Sequence, residues 1–293
     1  MARVVVVHGI RQHVKGPHQL RASILAALLD GLAFARADGH GADLDPESVA
    51  FAFYGDVFRS RGEVLAPDAH FDAVDVETGF EQDLLLAWWR RAAEVDRRVV
   101  PPEAETLGGS PRWVQSALRA MTRSRFFMGL SERLLIGDLK QVRSYLFDPA
   151  VRQVARDRVA TCVSDETEVV VGHSLGSVVA YEALCAHPEW PVRSFVTLGS
   201  PLGLRHLIFD RLEPPPKPDP ATGELRGGWP GAVTAWTNVA DRGDVVAVEE
   251  DLRIRFGDRV RQIRVDNGAS AHDIAPYLSD RLTGAAIADG LDA

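Results

Sequence analysis

The sequence predicts an α/β protein in which a mostly parallel β-sheet is flanked by helices and carries a helical cap insertion. Short runs of apolar, largely β-branched residues that end at His-Gly or Gly occur at residues 4–7, 169–171 and 195–198. Uninterrupted apolar runs of this length suit strands that are buried on both faces of a parallel sheet. Helical patterns lie between the runs, and this alternation is typical of a doubly wound sheet.

Three more runs complete a set of six candidate strands, at residues 49–54, 233–239 and 262–265. The helices between them show apolar residues three and four positions apart. In the first helix this pattern comprises Leu20, Ile24, Ala27, Leu28 and Leu32. A later helix is expected to begin at Ser177 and to stop at Pro188. We therefore expect a single domain over residues 1–293, organised around this sheet.

One long segment, at about residues 80–149, breaks the alternation because its pattern is mostly helical. We interpret it as a helical cap-like insertion. Its large apolar side chains would either line a pocket or extend the core, and we favour the second interpretation. These side chains are Trp88, Trp89, Phe126, Phe127 and Met128. A second irregular segment, at about residues 213–231, is rich in Pro and Gly and has the composition of a mobile loop.

Composition excludes several classes of protein. The formal net charge of −8 argues against a nucleic-acid partner, which would require a surplus of Lys and Arg. No stretch approaches the roughly 18 apolar residues of a membrane span, and none resembles a signal peptide. Two cysteines suit a reducing compartment. We expect a cytoplasmic protein with no integral membrane segment, no cofactor and no metal, whose oligomeric state the sequence leaves open.

The clearest chemistry follows the third candidate strand. Gly172-His173-Ser174-Leu175-Gly176 matches G-x-S-x-G, a motif that presents a serine on a tight turn between a strand and a helix. Small residues at both ends let the backbone bend, and the helix N-terminus favours developing negative charge on the serine. Ser174 is therefore the candidate nucleophile. The alternative is a Gly/Ser turn that only caps a helix.

A serine is a weak nucleophile unless a base takes its proton, so the chain must supply a histidine. In the strand–turn–helix arrangement of this motif the histidine comes last in the chain, after the acid. The three histidines after the motif are His187, His206 and His272. His187 falls at the far end of the following helix, and His206 precedes any later strand that would carry an acid. His272 follows the last candidate strand and is the candidate base.

The acid orients the imidazole and should follow the end of a strand. The stretch AVTAWTNVADRGDVVAV offers Asp241 and Asp244. We choose Asp244, which is followed by two valines, and keep Asp241 as the alternative acid. The other aspartate of the pair would be a turn residue whose side chain accepts backbone N–H groups.

The reaction also needs an oxyanion hole, which is a pair of N–H donors for the negative charge that forms on the substrate oxygen. One donor should be the N–H of Leu175, the residue after the nucleophile. The segment VVVVHGIRQH supplies the other, because Gly9 allows a close approach of the backbone and the N–H of Ile10 follows it. His8 would fix this loop through a side-chain hydrogen bond. A plain glycine turn after a strand is the alternative.

Together these motifs resemble the lipase and esterase branch of the α/β-hydrolase superfamily. They are similar to lipases with a GHSLG elbow and to GPI-inositol-deacylase-like hydrolases. The resemblance covers about two-thirds of the chain and rests on five motifs, namely HG after the first strand, GHSLG, TLGSP, W-x-N-x-x-D-x-x-D-V-V and a late His followed by Tyr. It implies the α/β-hydrolase fold, with Asp244 as the acid of a D-x-V motif. The insertion matches no lid pattern, and the leading antiparallel strands common in the superfamily are not expected.

The expected function is that of a serine hydrolase that cleaves a carboxylic ester, or a thioester, of a small molecule or lipid. Ser174 would form the acyl-enzyme, and His272 would act as base and then as acid. Two alternatives are an amidase or peptidase with the same triad, and a non-catalytic binding or effector module of the same fold.

Overall fold

The computed structural model describes residues 1–11, 16–41, 43–58, 71–102, 111–124, 126–127 and 130–292. Six of its strands form one central sheet, and every neighbouring pair in that sheet is parallel. Two short strands form a separate antiparallel hairpin. In chain order the strands of the described residues are β1 (Val4–Val7), β2 (Val49–Ala52), β3 (Val169–His173), β4 (Ser194–Leu198), β5 (Lys217–Pro218), β6 (Leu225–Arg226), β7 (Ala235–Asp241) and β8 (Val260–Val265).

The helices cover both faces of the sheet. The α-helices of the described residues are α1 (Pro17–Ala37), α2 (Phe80–Val95), α3 (Pro111–Arg123), α4 (Glu132–Phe147), α5 (Pro149–Ala160), α6 (Leu175–Ala186), α7 (Arg253–Phe256), α8 (Ile274–Ser279) and α9 (Arg281–Leu291). Short 3-10 helices lie at Pro46–Ser48, Gly55–Phe58, Ala73–Asp75, Phe209–Arg211 and Gly268–Ser270. In the part of the chain that is described, none of the helices has the length and apolar character needed to cross a membrane.

Alternate side chains of the strands point into two separate cores, as the period of a β-strand requires. In β1, Val4 and Val6 face helices α1, α8 and α9, whereas Val5 and Val7 face helices α2 to α6. All four valines are buried. The uninterrupted apolar run of this strand therefore reflects burial on both faces, and the predicted α/β class with a parallel sheet flanked by helices is confirmed.

The order of the strands places a crevice next to β1. The sheet runs β2-β1-β3-β4-β7-β8, so the chain moves from β1 to one side and later returns to β3 on its other side. In open α/β sheets, ligands bind at the carboxyl ends of the strands where the direction of winding reverses. Here that point lies between the end of β1, followed by His8 and Gly9, and the end of β3, followed by Ser174.

All six candidate strands are present in the central sheet, with ends that differ from the prediction by one or two residues. Strand β2 stops at Ala52 because the N–H of Tyr54 donates to the His8 side chain instead of to a neighbouring strand. The helix expected from Ser177 begins earlier, at Leu175, since the chain turns entirely within Ser174.

The described part of the 80–149 segment is helical. Its helices α2, α3 and α4 pack on the core that also contains α5 and α6. Trp88, Trp89 and Phe127 are buried there, and Phe126 is half-buried, so these aromatic side chains extend the core. Met128 lies outside the described residues.

The 213–231 segment contains the β5–β6 hairpin, which the sequence did not indicate. The second half of this segment also forms hydrogen bonds with the rest of the domain. The Tyr181 hydroxyl donates to the Gly228 carbonyl at 2.9 Å. The Gly227 N–H donates to the Arg255 carbonyl at 2.9 Å.

Candidate active site

Ser174 lies at a sharp turn between β3 and α6. Its φ of 52° and ψ of −130° fall outside the regions that residues with a side chain prefer. The turn is held by the Ser174 N–H, which donates to the Leu198 carbonyl of β4 at 3.0 Å, and by the Ser177 hydroxyl, which donates to the Ser174 carbonyl at 2.6 Å. Strained residues of this kind cluster at functional sites, where the surrounding structure keeps them in place.

The two glycines of the pentapeptide allow the backbone to pass closely at this turn. A Cβ atom at Gly176 would lie 2.2 Å from the His8 carbonyl oxygen, and one at Gly172 would lie 2.6 Å from the Ser177 Cα. Both neighbours are backbone atoms, which cannot move aside as a flexible side chain would. Both positions therefore require glycine, and this steric requirement is the physical reason for the two glycines of the G-x-S-x-G motif.

His272 connects the serine to a carboxylate. Its Nε2 lies 2.9 Å from Ser174 Oγ, and its Nδ1 lies 2.8 Å from Asp244 Oδ2. An ionised carboxylate only accepts hydrogen bonds, so Nδ1 carries the proton and Nε2 accepts from the serine hydroxyl. The structure thus brings together the three residues that the sequence singled out as nucleophile, base and acid.

Asp244 is fully buried and bonded at both oxygens. Oδ1 accepts the N–H groups of Val246 at 2.9 Å and Ala247 at 3.3 Å. Oδ2, which faces His272, also accepts from the Tyr277 hydroxyl at 2.9 Å. The late tyrosine was part of the family resemblance, but nothing in the sequence assigned it this contact.

Asp241 has the other role foreseen for this pair of aspartates. One of its oxygens accepts the Gly243 N–H at 2.6 Å, which closes a turn, and the other accepts the Asn267 N–H. Burial raises the pKa of Asp241, and these two hydrogen bonds oppose the rise. The acid paired with His272 is therefore Asp244.

Residues 8–11 contain the expected oxyanion donor Ile10 and are called the oxyanion loop for that expectation; they lie directly beside the serine. A Cβ atom at Gly9 would be 2.7 Å from the Ser174 Cβ. Leu175 is the first residue of α6, and the N–H groups of a first helical turn have no partner within the helix. Both expected oxyanion donors, Leu175 and Ile10, thus belong to segments that adjoin the nucleophile.

His8 fixes the direction of the loop. Its Nε2 accepts the Tyr54 N–H at 3.1 Å, so its Nδ1 carries the proton and donates to the Gly9 carbonyl at 2.7 Å. Burial lowers the pKa of His8 to about 4, which keeps the ring neutral. The Gly9 carbonyl and the Ile10 N–H belong to one planar trans peptide and point in opposite directions. Holding the carbonyl therefore also orients the Ile10 N–H.

His173 supports His272 from behind. Its Nε2 donates to the His272 carbonyl at 2.9 Å, and the two ring centroids are 5.0 Å apart. Burial lowers the pKa of His173 well below its usual value, so this ring is also neutral. The residue after Gly172 in the motif thus places the loop that carries the base.

The two histidines rejected on chain order lie elsewhere. His187 is half-buried against Trp190 and next to Glu189, and His206 is exposed next to Asp210. Among the residues that the structure describes, no group of three or more His, Cys, Asp or Glu side chains is arranged to hold a metal ion.

Gly199 is a site residue that sequence reasoning left without a role. It has a φ of 51°, and a Cβ atom there would lie 2.5 Å from Asp244 Oδ2 and 3.3 Å from His272 Nδ1. A side chain would therefore push apart the pair that orients the imidazole. Its signals in the sequence were its position after a buried strand and its place in the TLGSP motif, and neither assigned it a contact.

Comparisons with protein-family models, with curated proteins and with solved structures found no match to this chain. Its chemistry is therefore inferred from the side chains that surround Ser174.

Proposed function

We propose that this protein is a serine hydrolase of the α/β-hydrolase superfamily that cleaves carboxylic esters. The observation that carries the proposal is the His272 imidazole, which lies 2.9 Å from Ser174 Oγ and 2.8 Å from Asp244 Oδ2. A serine hydroxyl gains nucleophilic character when a base oriented by a third group is within hydrogen-bond distance. The chain order Ser, Asp, His and the strained turn after a parallel strand support the same superfamily.

In the acylation step, Ser174 Oγ attacks the ester carbonyl carbon while His272 Nε2 takes the serine proton. The electron pair of the carbonyl bond moves to its oxygen, where the N–H groups of Leu175 and Ile10 stabilise it. When the tetrahedral intermediate collapses, the alcohol leaves with the proton from His272 and the acyl group stays on Ser174.

In the deacylation step, water attacks the acyl-enzyme and His272 takes its proton. Collapse of the second intermediate releases the carboxylic acid, and His272 returns the proton to Ser174. Asp244 stabilises the imidazolium in both halves and holds the tautomer that has its proton on Nδ1. The substrate is proposed to be an ester of a small molecule or a lipid.

The compartment is part of the same proposal. Cys162 and Cys185 are free, half-buried thiols. Free thiols are usual in a reducing compartment, which supports a cytoplasmic location.

A fluorophosphonate probe, which reacts covalently with an activated serine, tests the proposal. The wild-type protein should be labelled, and labelling should be lost in Ser174→Ala and greatly slowed in His272→Ala. His187→Ala is the matched control, because this histidine lies at the opposite end of α6 from Ser174 and is next to Glu189, and it should be labelled like the wild type. Equal labelling of wild type and Ser174→Ala, or of neither, would contradict the proposal.

The reaction type is tested with a chain-length series of nitrophenyl esters beside a panel of small amides. Ester hydrolysis that disappears in Ser174→Ala is the expected result. Amide hydrolysis in the absence of ester hydrolysis would instead favour the amidase or peptidase alternative.

A further inference from the structure

Two polar side chains lie on the face of helix α4 that is otherwise apolar. Leu135 and Leu139 pack into the core from this face, and Asp138 is fully buried beside them, with Gln141 nearly so. Burial raises the pKa of Asp138 to about 6, although the neighbouring Arg11 guanidinium opposes this rise. Buried carboxylate and amide groups are unfavourable unless they are paired. The contacts of these two side chains therefore indicate the role of this face of α4.

Both side chains bind Arg11, the residue that follows Ile10 in the oxyanion loop. The Arg11 N–H donates to Gln141 Oε1 at 3.2 Å. The Arg11 Nε lies 3.0 Å from one Asp138 oxygen and 2.8 Å from the other. Gln141 Nε2 donates to the Gly137 carbonyl within α4 at 3.4 Å, which leaves Oε1 directed at the loop.

Arg11 needs this support because its φ is 66°. The left-handed region is unfavourable for a residue with a side chain, and such a conformation persists only where neighbouring groups hold it. Ile10 lies between two peptide groups. His8 holds the preceding one at the Gly9 carbonyl, and Gln141 holds the following one at the Arg11 N–H. With both peptide groups held, the direction of the Ile10 N–H is fixed.

We propose that Asp138 and Gln141 are positioning residues that hold the oxyanion loop in its working conformation. Helix α4 of the 80–149 insertion then supports the oxyanion loop through these two side chains and also covers the core. The inference rests on the proposed serine hydrolase function.

The test compares Gln141→Leu and Asp138→Asn with the wild type in steady-state hydrolysis of a nitrophenyl ester. Displacement of an oxyanion donor weakens interactions with the transition state more than those with the bound ester. We expect kcat to fall roughly 10-fold to 100-fold in each variant, while KM changes by less than about 3-fold. The inhibition constant of a trifluoromethyl ketone, which forms a charged tetrahedral adduct with the serine, should rise by a factor similar to the loss in kcat.

Lys140→Met is the matched control on the same helix. The Lys140 ammonium donates to the Asp75 carbonyl at 2.8 Å and pairs with Glu81, so its loss also weakens the docking of α4. This variant should keep the wild-type kcat. If Asp138→Asn does not fold, Gln141→Leu carries the test, because leucine suits the apolar surroundings and removes the acceptor for the Arg11 N–H together with the 3.4 Å hydrogen bond to Gly137 within α4.

The outcomes separate this inference from the function on which it rests. An active wild type with Gln141→Leu and Asp138→Asn within about 2-fold of its kcat, or no worse than Lys140→Met, would overturn the positioning role alone. A wild type that neither reacts with the fluorophosphonate probe nor hydrolyses the ester would overturn the hydrolase proposal and this inference with it.

Discussion

The Asp244 carboxylate accepts hydrogen bonds from four groups, of which the His272 imidazole is one. Two backbone N–H groups hold Oδ1, and the Tyr277 hydroxyl shares Oδ2 with the imidazole. Rotation of the carboxylate would break several of these bonds at once, so the oxygen that faces His272 stays in place. In the proposed hydrolase, the loop after β7 therefore orients the base, which is the role of the acid in a triad.

The first prediction separates the two aspartates of that loop. Asp244→Asn presents an amide to His272 and disturbs the tautomer that the reaction requires, so kcat should fall roughly 10³-fold to 10⁴-fold. Asp241→Asn keeps an oxygen that can accept the Gly243 N–H, and its kcat should stay within about 10-fold of the wild type. Both are measured by ester hydrolysis. A larger loss in Asp241→Asn would show that the acid has been chosen wrongly.

The second prediction concerns pH and His8. Burial lowers the pKa of His8 from 6.5 to about 4, so between these values the unfolded chain binds a proton that the native protein does not. Stability from this residue is fully present above pH 6.5 and is lost as the pH falls towards 4. The shift corresponds to about 3 kcal/mol of unfolding free energy, since one pKa unit is worth about 1.4 kcal/mol.

His8→Asn removes the titrating ring and keeps a short side chain that can donate to the Gly9 carbonyl. The unfolding free energy, measured by urea titration from pH 4 to pH 8, should favour the wild type by a constant amount above pH 6.5. This advantage should shrink by about 3 kcal/mol as the pH falls to 4. A difference between the two proteins that is the same at every pH would contradict the prediction.

At the residue scale, the sequence was sufficient to identify the side chains whose order along the chain is constrained by the motif. Ser174, Asp244 and His272 follow the carboxyl ends of β3, β7 and β8, and a motif or elimination could find them. Asp138 could not be found in this way, because its partner Arg11 is 127 positions away in the chain. A carboxylate within an apolar helical stripe was the only signal, and it does not name its partner.

At the scale of elements, prediction succeeded where both faces of a strand are buried. A run of valines such as β1 is buried on both faces only when the strand lies between two layers of helices. The predicted bounds of strands and helices differ from the structure at their ends, where contacts of a single residue determine the position at which the element begins or stops. Tyr54 leaves β2 to bind His8, and Ser174 turns the chain so that α6 starts at Leu175. Neither contact is encoded in a local pattern, because each depends on a residue of another element.

The third prediction compares two glycines with opposite surroundings. A Cβ atom at Gly176 would meet the backbone of His8 at 2.2 Å, so Gly176→Ala should separate α6 from β1 and lower the unfolding free energy by roughly 1–3 kcal/mol or more. A Cβ atom added at Gly137, within α4, would have no neighbouring atom within 4 Å. Gly137→Ala should therefore raise the unfolding free energy by roughly 0.5–1 kcal/mol, because glycine lowers helix stability. Urea titration checks both, and equal effects of the same sign would contradict the steric argument.

For the molecule as a whole, the site lies where four parts of the chain meet. Residues 8–11 follow β1, Ser174 follows β3, and Asp244 and His272 follow β7 and β8. Parallel strands bring their carboxyl ends to one edge, so the sheet itself explains how residues that are up to 264 positions apart come together. The packing of the insertion was less predictable, because a helical pattern in the sequence indicates where helices form but not the surface on which they pack.

The last prediction concerns the buried ion pair between α5 and α6, to which Tyr145 of the insertion also bonds. Arg152 of α5 donates to Glu182 of α6 at 2.5 and 2.9 Å, and the Tyr145 hydroxyl of α4 donates to the same carboxylate at 2.6 Å. Glu182 is fully buried, so Arg152→Met leaves an uncompensated charge in the core. The unfolding free energy should fall by roughly 3–5 kcal/mol.

The double variant Arg152→Met/Glu182→Gln removes that charge, and it should be more stable than Arg152→Met alone. Arg36→Met is the control, because its pair with Asp43 is exposed and such pairs contribute little. If Arg152→Met costs no more than Arg36→Met in urea titration, the contact among α4, α5 and α6 is not held by this pair. The stability of the helices around Ser174 would then come from apolar packing alone.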